Sequence, residues 1–201
     1  YPLLFGCLIA LATVGCYGQT SQNKSTNMLF QKIPKSEYEA AILYYSDKAV
    51  QGETVEEVLI NSKLLLRQEL TEIPDEKISY QYGFGKWSVG EVLQHIISYE
   101  RIMTERALII AGVVTSDFKY QNYTQASTVK GGRNKSKAEL VSEFLEVREE
   151  TIKAFQQLNQ EQLRRVGRLD GFKTSVRMIC LCLSGHQVHH FNVLKNKYKV
   201  L

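Results

Sequence analysis

The sequence predicts an all-α fold: a four-helix bundle with a long crossover and an extra short N-terminal helix. Three observations carry that expectation. Ser/Thr capping patterns open three of the long segments, apolar residues recur along four segments at helical spacing, and no convincing strand pair interrupts them. At 201 residues, 44% apolar and 23% charged, the chain can bury one core, which sets a disordered chain aside.

Residues 1–18, YPLLFGCLIALATVGCYG, are uncharged and mostly apolar, and the polar stretch QTSQNKSTN follows at once. This is the pattern of the hydrophobic and cleavage regions of an export signal, too short to favour a spanning helix. The expected location is therefore periplasmic or extracellular. Two exits are open: cleavage near Gly18, or lipid attachment at Cys16. An N-terminal helix packed on the domain is the plainer alternative. Cys180 and Cys182 are the cysteines beyond this segment. Two positions apart on a helix they point about 200° apart and cannot bridge each other. Residues 19–34 read as a polar tether, and the bundle domain as 35–201.

The first helical pattern, SEYEAAILYYSDKAV, opens at Ser36 and is interrupted at Gly52. The next opens at Thr54 with Glu57 three residues on, keeps Val55, Val58, Leu59, Leu65, Leu66 and Leu70 on its dry side, and stops at Pro74. Two glycines in YQYGFGKWS turn the chain. Ser88 and Glu91 then open a helix expected to reach about Ala111. The segment GVVTSDFKYQNYTQASTVKGGRNK, rich in Tyr, Ser, Thr and Gly, is the crossover, and loops of that length are often functional or mobile. Ser136 and Glu139 open the third long helix. Thr174 or Ser175 caps the last, whose lysine-rich end suits the negative pole of a helix dipole.

The net charge of +4 gathers in KGGRNKSK and KNKYK, as solvated surface does, so no nucleic-acid partner is expected. The histidines are more pointed. Of four in the chain, three fall in SGHQVHH, and the fourth is His95. Residues four apart on a helix project side by side, so His186 and His190 can grip one metal ion if a third ligand arrives from another helix. His95, among Val92, Ile96 and Tyr99 on an apolar face, is available. His189 points about 100° away from His190. One histidine alone would read as a hydrogen-bonded core residue. Three buried together would leave imidazole nitrogens unpaired at about 1–3 kcal/mol each without a shared cation or proton.

Neighbouring residues carry weaker expectations. Gly185 would let another helix or a ligand approach the His186 backbone. Cys182, one turn before His186, is either a fourth ligand or a small hydrophobe. Arg106 returns to nearly the face of His95, with Glu143, Glu146 and Glu149 as partners in a buried ion-pair network or an anionic substrate as the alternative. Glu100 joins that network or acts as a base. Glu100 and Arg106 are thus the candidate catalytic residues.

The segments GKWSVGEVLQHIISYERIMTERAL, EFLEVREETIKAF and TSVRMICLCLSGHQVHHFNVLKNKY together resemble the DinB-like domains, also called YfiT-like metal-dependent hydrolases, over roughly residues 54–199. The resemblance implies a four-helix bundle with a metal, often zinc or nickel, on His95, His186 and His190. It further implies an activity among hydrolases or thiol-dependent transferases and isomerases. The family often has Asp where this chain has Ser98, and usually an aliphatic residue where Cys182 stands. Three neutral imidazoles leave a coordination position open, for water or a substrate oxygen in hydrolysis or for a small-molecule thiolate in thiol transfer. A thiol transferase, whose small thiols are chiefly cytosolic, fits an exported chain less well. A non-catalytic metal-binding or interaction module, with the Tyr-rich loop 113–135 as its recognition surface, is the competing class. The expected partner is a small-molecule substrate. Membrane contact would come only through a lipid anchor at Cys16, and a homodimer is an open alternative to the monomer.

Overall fold

The computed structural model describes residues 28–115 and 128–201. The export segment with Cys16, the start of the tether and the middle of the crossover lie outside the described residues. Seven α-helices occur among those described: α1 (Met28–Gln31), α2 (Leu43–Ser46), α3 (Val55–Glu72), α4 (Val89–Ile110), α5 (Lys137–Gln156), α6 (Gln160–Arg164) and α7 (Val176–Val193). A π-turn, Leu194–Tyr198, continues α7. None of the described helices is long and apolar enough to cross a membrane.

The four long helices start where their caps direct. Ser88 and Ser136 each accept from the amide three residues on, while Glu91 and Glu139 return the bond, closing two orphan donors apiece. Thr54 Oγ1 accepts from the Glu57 amide at 3.1 Å, but the Glu57 carboxylate turns to the Glu53 amide instead, so this cap is one-sided. Ser175 caps α7 through the Met178 amide.

Pairing between helices fixes their directions. Glu56 meets Gln156 and Lys63 meets Glu149, so α3 and α5 are antiparallel. Arg101 meets Glu143 and Thr104 meets Thr151, so α4 and α5 are parallel. Val55 meets Cys180 and Ser62 meets Gln187, so α3 and α7 are parallel as well. Around the bundle the order is α3, α5, α4, α7, which puts the consecutive helices α3 and α4 at opposite corners. A parallel α4–α5 pair cannot be joined by a tight turn. The chain must travel back along the length of α4, which at 1.5 Å per residue over 22 residues is about 33 Å. This is the physical origin of the long crossover.

Three differences from the sequence reading have local causes. The expected N-terminal helix is broken into the 3₁₀ turns Lys35–Glu37 and Ala40–Ile42 followed by the single turn α2. Glu37 turns inward to pair with Arg177 of α7, and the Glu39 amide donates to the Lys173 carbonyl, so both are committed elsewhere. Leu29 and Ile33, assigned to the tether, are buried in the core. A strand pair is present after all: β1 (Val166–Leu169) and β2 (Phe172–Ser175) form an antiparallel hairpin. Its two-residue turn, Asp170 and Gly171, has φ of 50° and 88°, the positive values that Asp-Gly favours in tight hairpins. Strands of four residues leave too little alternation to announce themselves.

The core has two apolar halves. One gathers Val58, Leu59, Ile102, Met103, Ile152, Phe155, Ile179 and Leu183, and the other Leu66, Leu70, Leu93, Ile97, Leu140, Phe144 and Phe191. On each long helix the changeover falls at buried polar residues: Ser62 on α3, Glu100 on α4, Arg148 and Thr151 on α5, and Ser184, His186 and Gln187 on α7. Buried polar groups cost stability unless they are hydrogen-bonded. Here Ser62 donates to Ser184 at 2.7 Å, Gln187 donates to the Ser62 carbonyl at 3.0 Å, and Arg148 forks onto both oxygens of Glu100 at 2.6 and 2.9 Å, while Arg148 Nη1 and Gln187 Oε1 have no hydrogen-bond partner among the described residues. The histidines lie at this level.

Candidate metal centre

His95 and His186 come from the antiparallel helices α4 and α7, and the four-residue spacing of His186 and His190 stacks them on one face. His186 Nε2 lies 3.2 Å from His95 Nε2 and 3.1 Å from His190 Nε2, and a ligand atom of each ring is within 4.8 Å of the others. A divalent ion about 2.0–2.1 Å from imidazole nitrogens sets neighbouring nitrogens roughly 3–3.4 Å apart. Both spacings at His186 match one shared ion, and the ligand atoms of all three rings lie within 4.8 Å of one another. His95 and His186 are buried, and the partly exposed His190 is the edge of the cluster toward solvent.

Burial dominates the electrostatics. Desolvation, reinforced by His189, holds the His95 ring down at about 4. Desolvation and then the neighbouring imidazoles keep His186 and His190 well below the ordinary histidine value. All three rings are thus neutral at neutral pH and offer lone pairs, the form a metal requires.

The rings are held by different means. His186 stacks on Tyr99 with centroids 3.8 Å apart and planes within 19°, and Tyr45 meets it edge-on at 5.0 Å. Its Nδ1 has no hydrogen-bond partner among the described residues, so on that side of the ring aromatic packing rather than a hydrogen bond holds it. His95 packs beside Trp87 at 5.1 Å, and its Nδ1 is 2.8 Å from Thr128 Oγ1. His189 turns away from the centre to pack on Tyr44 and Tyr45.

Gly185 is where α2 crosses α7. A Cβ there would lie 1.8 Å from the Tyr45 carbonyl oxygen, so the missing side chain admits a helix, one of the two visitors expected. Cys182 faces the Ile42 carbonyl at 3.7 Å, and burial pushes its thiol up to about 12. It is therefore a protonated small hydrophobe rather than a thiolate ligand. Of the two roles open to Glu100, the ion pair is the one formed, with Arg148 as its partner. Arg106 departs from expectation: it pairs at 2.7 Å with Asp170 at the hairpin tip, not with the α5 glutamates. Arg101 is the residue that takes Glu143. Eleven residues return Arg106 to the face of His95, but about 16 Å further along the axis, beside the hairpin.

Tyr45 and Thr128 went unread in the sequence because they reach the centre from a one-turn helix and from the crossover. Neither carries periodicity that points to a histidine far along the chain. Tyr99 did have a signal, being four residues from His95 on the same face.

Fold and centre together define a helical-bundle protein with three imidazoles converging across two antiparallel helices, able to hold a divalent metal. The sequence profile of the DinB superfamily matches residues 64–194, and the chain belongs to that superfamily, as the resemblance implied. No curated protein sequence matches the chain. Among solved structures it is similar to YfiT from Bacillus subtilis, a probable metal-dependent hydrolase with an unusual four-helix bundle topology. The TM-score is 0.58 at 16% identity, covering 94% of this chain and 97% of that one, a likeness of fold.

Proposed function

We propose that the chain is a metal-dependent hydrolase of small molecules, exported from the cell, with zinc or nickel held by His95, His186 and His190. The convergence of three neutral imidazole nitrogens within 4.8 Å carries this reading. Export is supported by the uncharged apolar run at residues 1–18. When bound, a divalent ion with three protein ligands supplies Lewis acidity, lowering the pKa of a water or polarising a substrate carbonyl at its open position.

The chain's own residues shape that position. Tyr99, Tyr45 and Trp87 wall the imidazoles with aromatic surface and keep bulk water from His95 and His186. His190, being partly exposed, is the side from which a substrate approaches. Glu100 is held by both of its oxygens on Arg148 and stiffens the layer behind the histidines.

Elemental analysis of protein purified without an affinity tag tests the reading. About one equivalent of zinc or nickel per chain is expected, with loss of metal in the triple histidine variant. Hydrolysis should then appear in a screen of esters and amides and vanish in His190→Ala while the fold stays intact. Metal-free parent protein after careful purification and reconstitution would sink the proposal.

A further inference from the structure

We infer that Thr128, on the returning limb of the crossover, is a positioning residue for the metal centre. Its hydroxyl holds the His95 ring with the proton on Nδ1 and the Nε2 lone pair turned toward His186 and His190. The consequence for metal rests on the function proposed above; the geometry does not.

A neutral imidazole has one donor and one acceptor nitrogen, and the partner of one decides the role of the other. Thr128 Oγ1 is 2.8 Å from His95 Nδ1, and Thr128 is only 1% exposed, so water does not compete for the contact. With the hydroxyl oxygen accepting from Nδ1–H, Nε2 is free to ligate. The opposite tautomer would put the proton on Nε2, the nitrogen 3.2 Å from His186 Nε2, and remove the lone pair that ligation needs.

Thr128 is itself fixed from α4. Ser98 Oγ donates to the Thr128 carbonyl at 3.0 Å, and Gln94 Nε2 donates to Ser98 Oγ at 3.4 Å. A turn of α4 earlier the crossover lies directly on the helix. A Cβ on Gly90 would stand 2.5 Å from the Gly132 carbonyl oxygen, and one on Gly132 the same distance from that of Gly90. Ser98 thus acts on His95 at one remove, through the crossover backbone. The placement of Thr128 and Gly132 against α4 and the orientation of the His95 ring are thereby linked.

Two measurements on the full chain test this with Thr128→Val, Thr128→Ser and the parent. Long-range ¹⁵N–¹H spectra of the metal-free protein read the His95 tautomer. The parent and Thr128→Ser should show Nδ1–H, and Thr128→Val a shift toward Nε2–H. Zinc titration against a competing chelator should show a loss of about 10- to 100-fold in Thr128→Val, the range found for partners of metal-bound histidines, with affinity largely restored in Thr128→Ser. His95 as Nε2–H in the parent overturns the inference whatever the zinc result. So does equal zinc affinity in Thr128→Val and the parent, or a Thr128→Ser variant no better than Thr128→Val. If the parent takes no zinc yet shows the expected tautomer pattern, the positioning role stands and the metal-dependent function falls.

Discussion

Gly185 and the Glu100–Arg148 pair show how closely the structure is built around the level of the imidazoles. Adding a methyl at Gly185 drives it into the Tyr45 carbonyl. Helix propensity would gain about 1 kcal/mol, but a backbone carbonyl cannot swing aside as a side chain can, and overpacking of this kind costs about 1–3 kcal/mol or more. Gly185→Ala should lower the urea midpoint and weaken metal binding together, because α2 carries Tyr45 onto His186. A variant as stable as the parent would show that α2 is only loosely seated. Glu100 and Arg148 make the second case. Removing one partner of a buried pair strands a charge at about 3–5 kcal/mol, whereas replacing both with apolar residues is often neutral. Glu100→Ala should therefore be severely destabilised, and Glu100→Met with Arg148→Leu should regain most of the loss. Metal binding that survives in that double variant assigns Glu100 a structural role; its loss would return Glu100 to the site. The sequence left this carboxylate open between an ion-pair network and a base, and the pair with Arg148 is the one formed. The pairing of Arg106 with the α5 glutamates failed because periodicity gives the face of a residue but not which neighbour stands at its level.

Helices α3 and α7 run parallel, so their C-terminal ends meet at the same end of the bundle, where Glu69 lies near Lys195. Burial first, and then Glu72, raises the Glu69 carboxyl from the ordinary 4.5 to about 7, with Lys195 opposing. Its Oε2 has no hydrogen-bond partner among the described residues. The sign follows from proton counts. Between about 4.5 and 7 the native chain holds a proton the unfolded chain has lost, so this group's contribution to stability declines as pH rises through that window. Glu69→Gln removes the dependence. It should raise the melting temperature at pH 8 relative to the parent and change it little at pH 4.5. An equal gain at both pH values would trace the effect to packing instead. At this scale the sequence was legible wherever a cap announced a helix, as at Ser88 and Ser136. It was poorly legible where partners distant in the chain decided, as for the N-terminal turns pulled in by Arg177 and the hairpin that delivers Ser175 to the start of α7.

Taken whole, the bundle joins two apolar halves through a polar layer, and the histidines of that layer come from helices that face each other only because α3 and α4 sit at opposite corners. An ion shared across α4 and α7 would cross-link those two helices at the polar layer. Binding to the native state alone stabilises by about 4 kcal/mol when free metal is a thousandfold above its Kd. Stripping the protein with a chelator should thus lower its melting temperature, an effect absent in the triple variant His95→Ala, His186→Ala, His190→Ala. If parent and variant melt alike with and without chelator, the cluster binds nothing that matters to the fold. The sequence by itself determined the four long helices, their caps, the need for a crossover and the pairing of His186 with His190 on one face, because each follows from spacing within a helix or from chemistry written locally. That His95 meets them across α4 and α7 was decided by the packing. Only the tertiary structure decided which helices run parallel, which charges pair, that Tyr99 and Tyr45 fix one imidazole, and that Thr128 touches another. Those depend on contacts between residues far apart in the chain, and no local period records which distant surfaces will meet.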